Sequence, residues 1–247
     1  TVLYAHELPL TYFSDNSLTA ALNWIYDNNE GADHFSDTIP YLIYYPSIRI
    51  ESTLEKLKPD QSINRDLLVG NFSGNSSQSL SLFYEPPACL RILDPQVESD
   101  NWMVPLSVRE VIPLTSLNQI LTLPQNNPPA FLYQPEPEHN WCYFFEKADL
   151  ARQEMNWNEV RRLGDIAFSL DDKPNDPAER MPFIEGYAHL ENWQNAIDLT
   201  QQSAQISPLM HPVLCQLWRR IDQETLPSRE HSQAVQMIEN LLECSSP

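Results

Sequence analysis

A five-residue phrase occurs twice in the second half of this chain, 36 positions apart: Asn156-Trp157-Asn158-Glu159-Val160 and Asn192-Trp193-Gln194-Asn195-Ala196. A period of that length constrains a fold strongly, because it means that one supersecondary unit is made twice and stacked on itself. The flanking residues say which unit. Before the first phrase, Phe144, Ala148, Ala151 and Met155 recur every three to four residues; from it run Trp157, Val160, Leu163, Gly164 and Ala167. Such spacing places apolar side chains on one face of a helix. The second phrase is flanked alike, by Phe183, Tyr187 and Leu190 and then by Trp193, Ala196, Ile197, Thr200 and Ala204. Two helical hairpins are expected, the second closed by Pro208. Further helices at residues 212–223 and 232–243 should cap them, with the Trp218 and Leu241 faces covering the stack.

This pattern resembles the tetratricopeptide repeat, whose period is about 34 residues. Ala148 stands at the small position of the first helix. Trp157 and Trp193 follow the turns, Val160 and Ala196 come three residues later, and Pro208 stands at the closing proline. Ile184 departs from the pattern where a small residue is usual. The linker at residues 171–182 is longer than a standard turn, and two units are fewer than the usual three. Stacked helix pairs leave a concave face that binds partners. In this register Asp149, Arg152, Gln153, Glu185 and His189 point into that face, while Trp157 and Trp193 belong to the core. The alternative is that the helices only shield the rest of the chain.

The rest of the chain differs in kind. Of 21 prolines, fourteen lie before residue 141. Proline removes a backbone donor and breaks helices, so this part must be rich in loops and short strands. Ser17 suits the cap of a helix running to Tyr26, with Leu18, Ala21, Leu22 and Ile25 on its apolar face. Residues 41–50 read as a strand broken at Pro46. Residues 67–72 and 80–84 flank Ser73-Gly74-Asn75-Ser76-Ser77, which is turn chemistry, and so read as a hairpin. Alternation in Ser79-Leu80-Ser81-Leu82 suits a half-buried strand. A third strand follows at residues 89–93. Five prolines in residues 124–137 mark an extended connector, with one short strand at 130–133. The expected fold is α+β: a small mixed sheet domain at residues 1–123, a proline-rich connector at 124–140, and an all-α, tetratricopeptide-like helical-hairpin domain at 141–247.

Charge narrows the function. With 34 acidic and 15 basic residues the net charge is -19, spread over both halves. Such a surface repels phosphate backbones and anionic headgroups, so no nucleic-acid partner is expected. No run of eighteen apolar residues occurs, so no segment within the chain should span a bilayer. The chain begins at Thr1 without a methionine, which reads as a processed chain or a piece of a longer one. Cys89, Cys142, Cys215 and Cys244 form no CxxC pair. They read as buried free thiols, with a single Cys89–Cys142 bridge as the alternative in an oxidising compartment.

Searches for chemistry give near misses. In Gly70-Asn71-Phe72-Ser73-Gly74 the serine comes one place late for a nucleophile elbow. Asp27-Asn28-Asn29-Glu30-Gly31 has its glycine one place early for a calcium loop. Asp94, Glu98 and Asp100, like Asp171, Asp172 and Asp176, read as exposed acidic loops. The six histidines show no i,i+4 pair on one helix. Catalytic residues, metal ligands and cofactors are therefore all assigned as none. Asn71 and Asn75 begin N-glycosylation sequons.

Several phrases carry a second resemblance: Leu10-Thr11-Tyr12, Asn23-Trp24-Ile25-Tyr26, Tyr84-Glu85-Pro86-Pro87, Cys89-Leu90-Arg91-Ile92-Leu93-Asp94-Pro95, Trp141-Cys142-Tyr143-Phe144-Phe145-Glu146-Lys147-Ala148 and Phe183-Ile184-Glu185-Gly186-Tyr187-Ala188-His189. The chain is similar over nearly its whole length to the carboxy-terminal, non-membrane region of large multi-pass membrane proteins of Chloroflexi-type bacteria, which are uncharacterised or glycosyltransferase-like. The resemblance implies an extracytoplasmic domain preceded by transmembrane helices, which favours the Cys89–Cys142 bridge. It implies a non-catalytic interaction domain whose partner is another protein or its own transmembrane region. A second reading is an accessory domain that positions a glycan, with Trp24, Trp102 and Tyr133 stacking on sugar rings if they are not core residues. A third is a stand-alone soluble enzyme, for which no nucleophile, base and orienting group are found together.

Overall fold

The structure is a computed structural model that describes residues 1–6, 15–26, 39–45, 58–68, 70–120 and 139–244. The chain forms two compact units: Thr1–Glu85, Arg91–Pro95 and Leu106–Glu138 make one; Pro86–Leu90, Gln96–Pro105 and His139–Pro247 make the other. The division differs from a single cut near residue 123, because two short segments of the first part belong with the helices. The connector at 124–137 and its strand lie outside the described residues.

The first unit is built on β1 (Val2–His6), α1 (Asp15–Tyr26), β2 (Ile39–Tyr41), β3 (Ser62–Asp66), β4 (Gly70–Asn75), β5 (Ser79–Phe83), β6 (Arg91–Ile92) and the short α2 (Leu106–Arg109). Among the described residues it carries two three-stranded mixed sheets, ordered β1-β5-β6 and β2-β4-β3. This α+β arrangement agrees with the sequence, but the pairing does not. The turn after β4 forms, with Asn75 Oδ1 accepting from Ser77 N at 2.8 Å. The strand that leaves it pairs parallel with β1, while β4 pairs antiparallel with β3. The expected hairpin is thus a crossing between sheets. The hairpin that exists joins β3 to β4 through a turn closed by Leu67 N donating to Gly70 O at 2.8 Å.

Two further expectations fail for a shared reason: polar side chains here face inward and serve the backbone. Ser79 and Ser81 are buried, and their hydroxyls donate to Leu114 O and Val111 O. Strand β5 is therefore covered on both faces instead of half-exposed. Helix α1 starts before Ser17, and its buried residues are Thr19 and Asn23, not the apolar stripe. Asn23 Oδ1 accepts from Leu42 N at 2.8 Å and Ile43 N at 2.9 Å, and Asn23 Nδ2 donates to Ile43 O at 2.6 Å. One amide thereby does for residues 42–43 what a neighbouring strand would do. Val2, Tyr4, Tyr44, Ile63, Phe72 and Leu114 form the core of this unit. The strand expected at 89–93 contracts to Arg91–Ile92, since Cys89 belongs to the other unit.

The second unit is helical: α3 (Trp141–Gln153), α4 (Trp157–Ala167), α5 (Met181–His189), α6 (Trp193–Ile206), α7 (His211–Glu224) and α8 (Arg229–Leu242). The repeated phrase marks a repeated turn. Met155 and Glu191 take left-handed backbone, φ 55° and 58°. Asn156 N donates to Ala151 O, and Asn192 N to Tyr187 O, both at 2.8 Å. This six-to-one bond ends a helix on its orphan carbonyls. Met155 sits at the tip of that turn, 72% exposed, rather than on the apolar face. Asn156 then caps α4, its side chain accepting from Glu159 N; Asn192 makes no such bond. Glycines let α4 and α5 approach closely: a Cβ on Gly186 would lie 2.5 Å from Val160 Cγ1.

Trp141, Phe145, Val160, Phe183, Ile184 and Trp218 lie in the core. Trp157 is only partly buried, and in α8 the inward residue is Leu242, leaving Leu241 43% exposed. The long linker is ordered. Asp172 accepts from Trp141 N at 3.0 Å, and Asp176 caps a short 3₁₀ turn at Pro177–Arg180. In that turn Glu179 is fully buried and accepts from Cys89 N and Trp141 Nε1, both at 2.8 Å, and from Asn175 N at 3.1 Å. Burial nonetheless pushes its carboxyl above the ordinary value. The cysteines are not free thiols. Cys89 pairs with Cys142, and Cys215 with Cys244, at Cα separations of 5.2 and 5.7 Å.

Candidate functional site

Helices α3, α5 and α7 share a face, and the five groove residues predicted from the repeat gather there. One face of α3 carries Asp149, Arg152 and Gln153; α5 contributes Glu185 and His189, four residues apart. Helix α7 adds two residues that the sequence reading did not select, Arg220 and Glu224. Glu185 is the centre, only 2% exposed. Arg220 Nε lies 2.8 Å from Glu185 Oε1, and Arg220 Nη2 donates to Glu185 Oε2 at 2.9 Å. From the other side Arg152 Nη1 stands 3.6 Å from Glu185 Oε2, while its Nε donates to Asp149 Oδ1 at 2.8 Å. Gln153 Nε2 donates to the second Asp149 oxygen at 3.2 Å. The buried carboxylate is held between two guanidinium groups, and removing one partner would strand a charge.

The histidine sits beside this chain of charges. His189 stacks on Trp157, ring centroids 3.8 Å apart and planes 6° from parallel. Its side chain is 10% exposed, and Nε2 lies 3.5 Å from Glu224 Oε2, whose residue is 48% exposed. At that distance and direction the ring nitrogen finds no hydrogen-bond partner. Burial lowers the imidazole's affinity for a proton; Glu185 and Glu224 oppose that effect, and Arg220 adds to it. The ring is thus biased towards its neutral form. One ligand-type atom from each of Glu185, His189 and Glu224 lies within 4.8 Å of the other two.

The groove assignment needs correction. These side chains do not line a free concavity; Asp149, Arg152, Gln153, Glu185 and Arg220 pair with one another and tie three helices together. Groups that face outward are on the rim: Glu224 and part of Gln153. Arg220 and Glu224 were missed because α7 was read only as a cover. The Glu185–His189 spacing is a usable signal, since residues four apart share a helix face.

Elsewhere the acidic loops resolve into structural roles. Asp94 and Glu98 are buried, not exposed, and Asp176 is a buried cap. Ser73 lies exposed on β4, its hydroxyl donating to Asn64 Oδ1 at 2.8 Å. Asn71 is exposed, whereas Asn75 is partly buried and engaged in its turn. Trp24 and Trp102 are 66% and 58% exposed, so neither is a core residue. The calcium-like loop at 27–31 and Tyr133 lie outside the described residues. No described helix is long and apolar enough to cross a membrane. No family model, curated protein or solved structure matches this chain.

Proposed function

We propose that this chain is a non-catalytic, extracytoplasmic interaction domain of a bacterial membrane protein, binding a protein partner or its own transmembrane region. The observation that carries this reading is the pair of disulfides in the helical unit. Disulfides persist in oxidising compartments and are rare in the cytosol. Helical hairpins held this way present a rigid face to a partner, and the -19 charge favours a basic one. Because the floor of the α3–α5–α7 face is bonded to itself, recognition falls to the rim, at Gln153 and Glu224.

Photo-crosslinking in the full-length protein in its own membrane tests this. A benzophenone side chain at Gln153 or Glu224 should give a defined adduct. The same group at Arg162, 57% exposed on α4, should not. Equal adducts at all three positions, or none, would discard the rim. Reversing Arg152 or Glu185 would be a poor test, because it would break the buried ion pairs first.

The exposure of Trp24 and Trp102 favours a second reading, accessory glycan binding. Exposed aromatic side chains are suited to stacking on sugar rings. Titrating mono- and disaccharides while following tryptophan emission would decide, and a flat response into the millimolar range rules it out.

A further inference from the structure

We propose that Glu185, His189 and Glu224 form a binding site for one divalent first-row transition-metal ion of the zinc class. The site goes beyond the interaction reading and does not depend on it.

Three observations carry it. First, Glu185 and His189 stand one turn apart on α5, the spacing at which a helix directs two side chains to one point. Glu224 approaches that point from the end of α7, and the three ligand atoms lie within 4.8 Å of one another. Second, His189 Nε2 is buried, aimed into this cluster, and without a hydrogen-bond partner. A buried polar atom in that condition calls for an explanation. Third, the 3.5 Å between His189 Nε2 and Glu224 Oε2 is a poor hydrogen bond but a good ligand–ligand distance. Two donors about 2.1 Å from a shared ion and that far apart subtend roughly 110° at it, the tetrahedral angle zinc prefers.

The surrounding charges fit. Arg220 Nη2 donates to Glu185 Oε2, and Arg220 Nε and Arg152 Nη1 pair with the same carboxylate at 2.8 and 3.6 Å. A carboxylate offers about four acceptor positions, so at least one remains for a cation. Arg220 and Arg152 then orient the ligand, as partners beyond the first ring of donors do in metal sites. Stacking on Trp157 fixes the plane of the imidazole. An imidazole nitrogen among the donors selects zinc, cobalt or nickel over magnesium and calcium, which take oxygen. With three protein donors the fourth position is left to water or to a side chain from a partner.

The test uses the full chain freed of metal with a chelator. Calorimetric titration with zinc chloride should give one site per chain with micromolar or tighter affinity. His189→Gln and Glu224→Gln should each weaken it at least tenfold. Nickel should quench the Trp157 share of the emission in the parent protein, and Trp157→Phe should remove that response. Glu224 is half exposed, so Glu224→Gln should melt like the parent in chelator; lost binding is then not lost folding. The proposal is overturned if no saturable site tighter than millimolar appears, or if either glutamine variant keeps the parent affinity.

Discussion

The two units hold themselves together by different means. In the helical unit, helix ends close on their own carbonyls, apolar faces interlock, and covalent bonds join residues 53 and 29 positions apart. In the sheet unit, strands are short, and buried polar side chains such as Asn23, Ser79 and Ser81 bond directly to distant backbone. What is local in the helical unit is the signal for its elements, their periodicity and turn residues; its crosslinks span stretches of sequence comparable to or longer than those between the bonded pairs of the sheet unit. The contrast shows that a chain can carry a readable half and an unreadable half for one physical reason: whether an element is set by residues near it in sequence or only by the partner it pairs with.

The sharpest way to break the comparison is to remove the crosslinks. Replacing Cys89 and Cys142 together with alanine should destabilise the helical unit by about 4 kcal/mol, the loop-entropy figure for a loop of that size. Tryptophan-detected urea unfolding would measure it. Amide exchange in β4 and β5 should be far less affected, and an equal loss there would mean that the units do not unfold separately. Next comes the sheet unit's counterpart. Asn23→Ala leaves the Leu42 and Ile43 amides without their acceptor and should cost about 3 kcal/mol. Hydrogen exchange should report it as lost protection at those two amides.

Glu179 gives a smaller effect that depends on pH. Its carboxyl is raised by burial, so the folded chain holds that proton more tightly than the unfolded chain. Its contribution to stability is therefore complete below the ordinary carboxylate value and is lost as pH rises through the raised folded one. Denaturant unfolding of the parent and Glu179→Gln between about pH 4 and about pH 7 should show a stability advantage of the parent that grows on the acid side. A constant difference would mean that the carboxyl is not shifted. The smallest change tests the repeated turn. Met155→Gly and Glu191→Gly relieve left-handed backbone, and each should stabilise by about 0.5–1 kcal/mol. Unequal gains in melting experiments would show that the two turns are not equivalent.

The helices were legible because their evidence is local. The period of Val160, Leu163, Gly164 and Ala167 fixes a face, and the recurring Asn-Trp fixes where a helix starts. Met155 was misplaced by one turn because an apolar residue at a helix end satisfies the same spacing. The sheet was legible only as a class. Turn residues at 73–77 do make a turn, yet nothing local says that the next strand pairs with residues 2–6, while Leu67-Leu68 gives no turn signal at a hairpin that exists. The five groove residues were found together because the repeat register placed them on one face. Their burial was not foreseen, because it depends on Arg220, more than thirty residues away from Glu185. Cys215–Cys244 follows once α7 and α8 are read as a hairpin, a step the free-thiol reading had closed off.

The two disulfides also determine how the chain would transmit a mechanical load. Tension applied between the first residues and a point beyond Cys244 would pass from Cys89 to Cys142, and from Cys215 to Cys244, through sulfur rather than backbone. The intervening loops would carry no force, so fully stretched protein would fall short of its contour length by roughly 190 Å and roughly 100 Å at the two bridges, at about 3.5 Å per residue. Helix α8 and most of α7 would stay slack while the central hairpins gave way. The domain would therefore behave as a short tether with a reserve of length that only a reductant releases.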